Sequence, residues 1–152
     1  MHTPQTIEAL LLARYAGLVA KTAYSERSLF YNPAGLLPNG MYFATLKTAD
    51  GPHDKASALD RPGVFRLSFG LDDRAYTALF GPKPARPPKG GVVQLPAGTD
   101  WQALDVLTPH PVYAWMRYVC ILNPGADRWG QRAPLLDATY SRLVQQYQKK
   151  HR

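Results

Sequence analysis

A histidine held between two prolines, Pro109-His110-Pro111, has a stiff backbone and a ring whose direction is largely set. Such a side chain can bind a ligand or transfer a proton, and it can equally bridge loops. Asp60-Arg61 precedes an alternating apolar segment and is followed by Pro62-Gly63. Asp60, Arg61, His110 and Tyr113 are therefore the candidate ligand pocket, a site where two proline-stiffened loops flank a sheet. The simpler role for Asp60 and Arg61 is to tie their loop down by hydrogen bonds.

Other chemistry is missing. His2, His53, His110 and His151 are not spaced three or four residues from one another or from a cysteine, so no structural zinc site is expected. His53-Asp54 are adjacent on one loop, and adjacent residues seldom supply a full coordination set. Gly90-Gly91 is not followed by the Lys-Ser or Lys-Thr of a phosphate loop. No serine lies in a glycine-flanked elbow. Carboxylates are few and scattered. Cys120 is the single cysteine and sits in an apolar run, where it reads as a small buried hydrophobe. No catalytic residue, metal or cofactor is assigned, and binding is favoured over catalysis.

The net charge of +7 is unevenly placed. Residues 82–98 hold Lys83, Arg86 and Lys89 and no acid. Residues 128–152 hold six cations against Asp137 alone. This layout attracts polyanions. It also suits a helix that ends in cations facing its own dipole. Lys47, Arg66 and Arg117 are expected on the outward side of a sheet, with Phe43, Trp115 and Tyr118 nearby. Cations interleaved with aromatics are what single-stranded nucleic acid uses, and core aromatics beside solvated cations are the plainer alternative. Lys47, Arg66, Lys83, Arg86, Lys89 and Arg117 are thus the candidate nucleic-acid contacts. Pro84-Ala85-Arg86-Pro87 fits a polyproline recognition pattern, which makes a protein-interaction module a further alternative.

The elements that must position these residues follow from capping and periodicity. Thr3-Pro4 starts a helix whose apolar residues Ile7, Leu10, Leu11, Tyr15 and Leu18 carry it to about Ala20. Glu8 and Arg14 interrupt that run and no basic region precedes it, so it reads as an amphipathic helix of a cytoplasmic protein rather than a signal peptide. Arg27–Asn32 and Met41–Thr48 read as antiparallel strands joined by Pro33, Gly35, Pro38 and Gly40 turns. Phe65, Leu67, Phe69 and Leu71 alternate with Val64, Arg66, Ser68 and Gly70. That predicts a strand with its apolar side beneath helices and Arg66 on the solvent side. Asp72 caps a short helix bearing Ala75, Leu79 and Phe80 and ended by Gly81. Pro- and Gly-rich residues 82–98 form a long loop, with a brief edge strand at Val92–Leu95. Asp100–Leu107 reads as a helix, the latter part of Val112–Leu122 as a buried strand, and Pro134 as the opening of a last helix with a mobile tail over 149–152.

The order of these elements, with Leu59–Leu67 and Pro109–Tyr113, resembles an uncharacterised bacterial family whose members carry Leu-Asp-Arg-Pro-Gly-Val-Phe-Arg-Leu and Pro-His-Pro-Val-Tyr stretches. More remotely it is similar to the MmcQ/YjbR proteins, where a Lys/Arg-His-Trp stretch opens the last strand and Met116-Arg117-Tyr118 stands here. That resemblance implies a compact α+β fold of the double-wing, frataxin-like kind. One α+β domain over 1–152 is expected, an antiparallel sheet with helices mainly on one face. No stretch approaches the ~18 apolar residues of a membrane span. The partner is expected to be nucleic acid, with a small molecule as the alternative; the oligomeric state stays open.

Overall fold

Thr3 accepts a hydrogen bond from the Thr6 amide and Thr6 reaches back to the Thr3 amide, so a reciprocal cap starts α1 (Pro4–Arg14) with proline in its first turn. The computed structural model describes residues 2–23, 25–95 and 98–151. Helix α1 is followed by β1 (Leu18–Ala23), β2 (Glu26–Tyr31), β3 (Met41–Lys47), β4 (Arg66–Gly70), α2 (Asp73–Phe80), β5 (Leu107–Pro109), a short 3-10 turn (Ala114–Met116), β6 (Tyr118–Leu122) and α3 (Trp129–Lys150). The strands form one antiparallel sheet in the order β1-β2-β3-β4-β6-β5.

One face of the sheet is apolar. Leu29, Leu46, Leu67, Phe69, Val119 and Ile121 are buried there with Ile7 and Leu11 of α1, Tyr76 of α2, and Leu136 and Leu143 of α3. A bulge in β3 sets two residues, Phe43 and Ala44, toward this core between the Leu29 and Phe30 pairings. Phe43 meets the Tyr15 and Tyr140 rings edge-on, at centroid distances of 5.2 and 6.2 Å. Arg14 of α1 and Tyr15, its C-terminal cap, both bond Asp137 of α3, which locks the two helices together.

Several expectations need correction. The first helix stops at Arg14, and residues 18–23 are a strand. Periodicity alone could not separate the two, because Leu18 and Ala20 also suit the alternation of β1. Gly17 decides the outcome: its φ of +85° turns the chain, and its carbonyl accepts the Asn32 amide. Asp100–Leu107 is not a helix. The Asp100 carboxylate bonds the Gln102 amide, Asp105 has a φ of +58°, and the Trp101 indole donates to the Pro109 carbonyl at 2.8 Å. The Asp100 turn, together with bonds to Pro109 and from the Asp105 amide to the Leu122 carbonyl of β6, thus outcompetes the helix. Val92–Leu95 is not a strand, and a single bond from the Val93 amide to the Pro111 carbonyl holds it. Pro134 lies inside α3, which begins at Trp129 and has Lys149 and Lys150 in its last turn; Arg152 lies outside the described residues. In α2 the Asp72 cap and Gly81 stop are as read, but Tyr76 is the buried residue and Leu79 faces out.

A Cβ at Gly17 would sit 2.8 Å from Tyr31 Cε1 and 3.1 Å from Pro33 Cβ. Gly17→Ala therefore combines a strained backbone with a clash, and should lower unfolding free energy by about 1–3 kcal/mol, read by urea denaturation.

Candidate functional site

The second face of the sheet is polar, and its register arranges it in three rows. Glu26, Lys47, Arg66 and Leu122 are successive cross-strand neighbours. Ser28, Thr45, Ser68, Cys120 and Thr108 form the next row. Phe30 and Tyr42 are paired at one side of the third row, and Gly70 and Tyr118 at the other. Small hydroxyl side chains therefore run between a charged row and an aromatic row.

The two cations of the charged row are not in solvent. Arg66 is 2% exposed, which corrects the expectation of an outward, wet position. Its side chain does leave the apolar face, as the alternation requires. However, the loop over residues 48–64 folds back across it. Nη1 donates to Asp54 Oδ1 at 2.9 Å and to Ser57 Oγ at 3.1 Å, and Nη2 donates to Asp54 Oδ2. Burial pushes the Asp54 carboxyl up, yet the bonds and charge of Arg66 outweigh it and leave it below its ordinary value. Burial likewise opposes the charge on Arg66, and Asp54 more than restores it. Lys47 is also buried, with Nζ 3.0 Å from Glu26 Oε1. Neither cation is placed to reach a phosphate.

The loop itself is held by local bonds. Asp50 Oδ1 accepts the Leu59 amide, and Asp60 Oδ1 accepts the Asp50 amide. Arg61 donates to the carbonyls of Ala58, Ser57 and Gln102. Asp60 and Arg61 thus have the loop-tying arrangement, and they stand outside the cavity described next.

That cavity has a volume of about 360 Å³. Ser28, Thr45 and Ser68 form its floor, Glu26, Asp54 and Arg66 one wall, and Tyr42, Tyr113, Met116 and Tyr118 the other, with His110 among them. Ser28 Oγ lies 3.0 Å from Thr45 Oγ1, which lies 2.8 Å from the Tyr42 hydroxyl. The Tyr42 and Tyr118 rings are nearly parallel, with centroids 5.7 Å apart. Gly70 makes room for them: a Cβ there would lie 3.1 Å from Tyr118 Cε1. Tyr118 leads on to Tyr113 at 6.2 Å, and Tyr113 to His110 at 5.1 Å.

His110 is buried and its Nδ1 accepts two amides, those of Val112 and Tyr113, each at 3.1 Å. The neutral ring therefore carries its proton on Nε2. Burial, then the positive charge of Arg66, pushes His110 down to about 3, against an opposing pull from Asp54. The proline frame aims this ring as a fixed donor, not as a base.

The remaining predicted residues are elsewhere. Lys83, Arg86 and Lys89 are exposed on their loop, and Arg86 lies over the Trp115 ring, 4.7 Å from its centroid. Arg117 takes a left-handed backbone, φ +66°, in the turn before β6, and it lines a separate recess with Asp72, Asp73, Thr139 and Arg142. Cys120 is buried, and burial pushes its thiol up. Among the described residues, no three His, Cys, Asp or Glu side chains gather where one ion would bind, and no helix is long and apolar enough to cross a membrane.

Two outcomes are expected. Asp54→Ala leaves a buried guanidinium without its carboxylate, and urea denaturation should show a loss of about 3–5 kcal/mol, much of it recovered in the Asp54→Leu/Arg66→Met double variant. His110 gives a pH dependence. Its folded value lies below the unfolded one, so its stabilisation is complete above about pH 6.5 and is lost as pH falls toward 3. Urea titrations across that window should show up to about 1.4 kcal/mol per pH unit from this group, absent in His110→Asn.

No curated protein and no solved structure matches the chain. A profile of DUF6194, a family of unknown function, matches residues 1–152. The two sheet faces, the loop closed over Arg66 and the His110 turn thus describe one domain that fills the whole of that match, and the chain belongs to the DUF6194 family.

Proposed function

We propose that this protein binds a small molecule in the cavity on the polar face of its sheet. The observation that carries the reading is the contrast between the two faces. One is packed with Leu, Phe, Val and Ile, whereas the other holds Ser28, Thr45 and Ser68 at the bottom of an unfilled space rimmed by tyrosines and His110. A cavity of about 360 Å³ lies within the range of roughly 300–1,000 Å³ typical of small-molecule sites. His110 and Tyr113 line this cavity together with Asp54 and Arg66, and Asp60 and Arg61 do not. Asp54 is committed to Arg66, and His110 Nδ1 to two amides, so binding is favoured over proton transfer.

Nucleic-acid binding is the second reading, favoured by one observation. The exposed loop with Lys83, Arg86 and Lys89 carries no acid, and Arg86 caps the Trp115 ring. Lys47 and Arg66 do not contribute to it, because both are buried in ion pairs. Similarity to the MmcQ/YjbR proteins is supported by element order, and no site is carried over from it, since Met116-Arg117-Tyr118 replaces the Lys/Arg-His-Trp stretch.

Amide NMR spectra titrated with a set of small polar fragments test the proposal. Shifts should cluster at Ser28, Thr45, Ser68, Tyr113 and Tyr118, and Ser28→Phe, which fills the floor, should abolish them with little change in stability. A full fragment set that leaves these residues unmoved sinks the reading. Shifts confined to Lys83, Arg86, Lys89 and Trp115 on adding single-stranded DNA at low salt would favour the second reading instead.

A further inference from the structure

The cavity also specifies what it would hold, and this inference rests on the small-molecule reading above. Charge comes first. Every ionic side chain in the lining has an opposite partner: Asp54 is paired with Arg66, and Glu26 with Lys47. His110 is neutral by its hydrogen bonding. A carboxylate or phosphate entering here would meet two carboxylates and no spare cation. An ammonium would meet a guanidinium and no spare anion. Desolvating an ion without a counter-charge is strongly unfavourable, more so than leaving a neutral polar group unbonded.

Hydrogen bonding comes second. Among the described residues the buried Arg66 Nε–H has no partner, and it is closed off from the cavity as well. The His110 proton is on Nε2, for which no acceptor is recorded among the described residues, and both side chains line the cavity. The His110 Nε2–H is therefore the donor that this lining offers to an occupant. The hydroxyls of Ser28, Thr45 and Ser68 can give or take a hydrogen bond. An occupant with a carbonyl oxygen or ring nitrogen, together with an N–H, would complete the set.

Shape comes third. Tyr42, Tyr118, Tyr113 and His110 make a continuous arc of rings, at successive centroid distances of 5.7, 6.2 and 5.1 Å. A flat molecule gains most from such a wall, because stacking on aromatic faces adds to the gain from burial. We infer that the cavity takes an uncharged, planar heteroaromatic or cyclic amide, stacked on the tyrosine arc with an acceptor atom turned toward His110.

Matched probes test this, with binding followed by NMR on the intact chain. Nicotinamide and uracil are flat and neutral; nicotinate and orotate are their flat, anionic counterparts; glucose is neutral and not flat. At least one neutral planar probe should shift Tyr42, Tyr118 and the His110 Nε2–H resonance, and bind at least tenfold more tightly than its acid. Tyr118→Leu should weaken that binding by about tenfold, in line with stacking losses of roughly 1–3 kcal/mol per base. Equal or tighter binding of the acids, binding of glucose alone, or silence from all five overturns the ligand class. The small-molecule reading fails separately, only if the wider fragment set also leaves the cavity unmoved.

Discussion

A guanidinium buried in the middle of a sheet needs a carboxylate, and that requirement organises one whole side of this protein. Arg66 lies on β4, between β3 and β6, so its side chain cannot reach water at a sheet edge. Asp54 meets it with both oxygens in a two-pronged pairing that matches the planar fork of arginine. To bring Asp54 there, the chain after β3 must fold back over the sheet. Ser57 then gives a further bond to the guanidinium and Leu59 becomes buried. Asp50, Asp60 and Arg61 close the loop on itself. The wall of the cavity is the result.

The floor follows from side-chain size. The row Ser28, Thr45 and Ser68 crosses three strands with short side chains, while the rows on either side carry long ones. Such a surface is concave whatever covers it. Gly70 extends the effect, since the absence of a Cβ lets the Tyr118 ring lie across the strand toward Tyr42. On the opposite face the same strands present Leu, Phe, Val and Ile to α1 and α3, and these side chains pack into the apolar core. On the reading proposed above the two faces divide the work, with stability on one and recognition on the other.

Part of the site was readable in advance. His110 and Tyr113 stood out because prolines restrict their backbone, and both line the cavity. Asp54 was noticed only beside His53, as a poor metal site, although its role is to neutralise Arg66. Ser28, Thr45 and Ser68 carried no signal individually. Their meaning lies in cross-strand neighbours that are 17 and 23 residues apart in the chain, at pairings Ser28–Thr45 and Thr45–Ser68. Alternation around Phe65–Leu71 marked Ser68 and Arg66 as sharing a face, and that was the one available clue. Asp60 and Arg61 drew attention for their chemistry, but the backbone of their own loop absorbs their hydrogen bonds.

The amino-acid order alone determined what depends on near neighbours: the Thr3 and Asp72 caps, the Gly81 stop, the antiparallel strands around residues 27–48, and the apolar side of β4. These are set by interactions within a few residues or by a period of two. Tertiary structure decided the rest. It made residues 18–23 a strand instead of more helix, because β2 offers a ladder of hydrogen bonds that an exposed helical turn cannot match. It unfolded the expected helix at 100–107 in favour of bonds to β6 and Pro109. It also put Arg66 out of water, because exposure depends on which distant segment comes to lie on top, and periodicity carries no record of that.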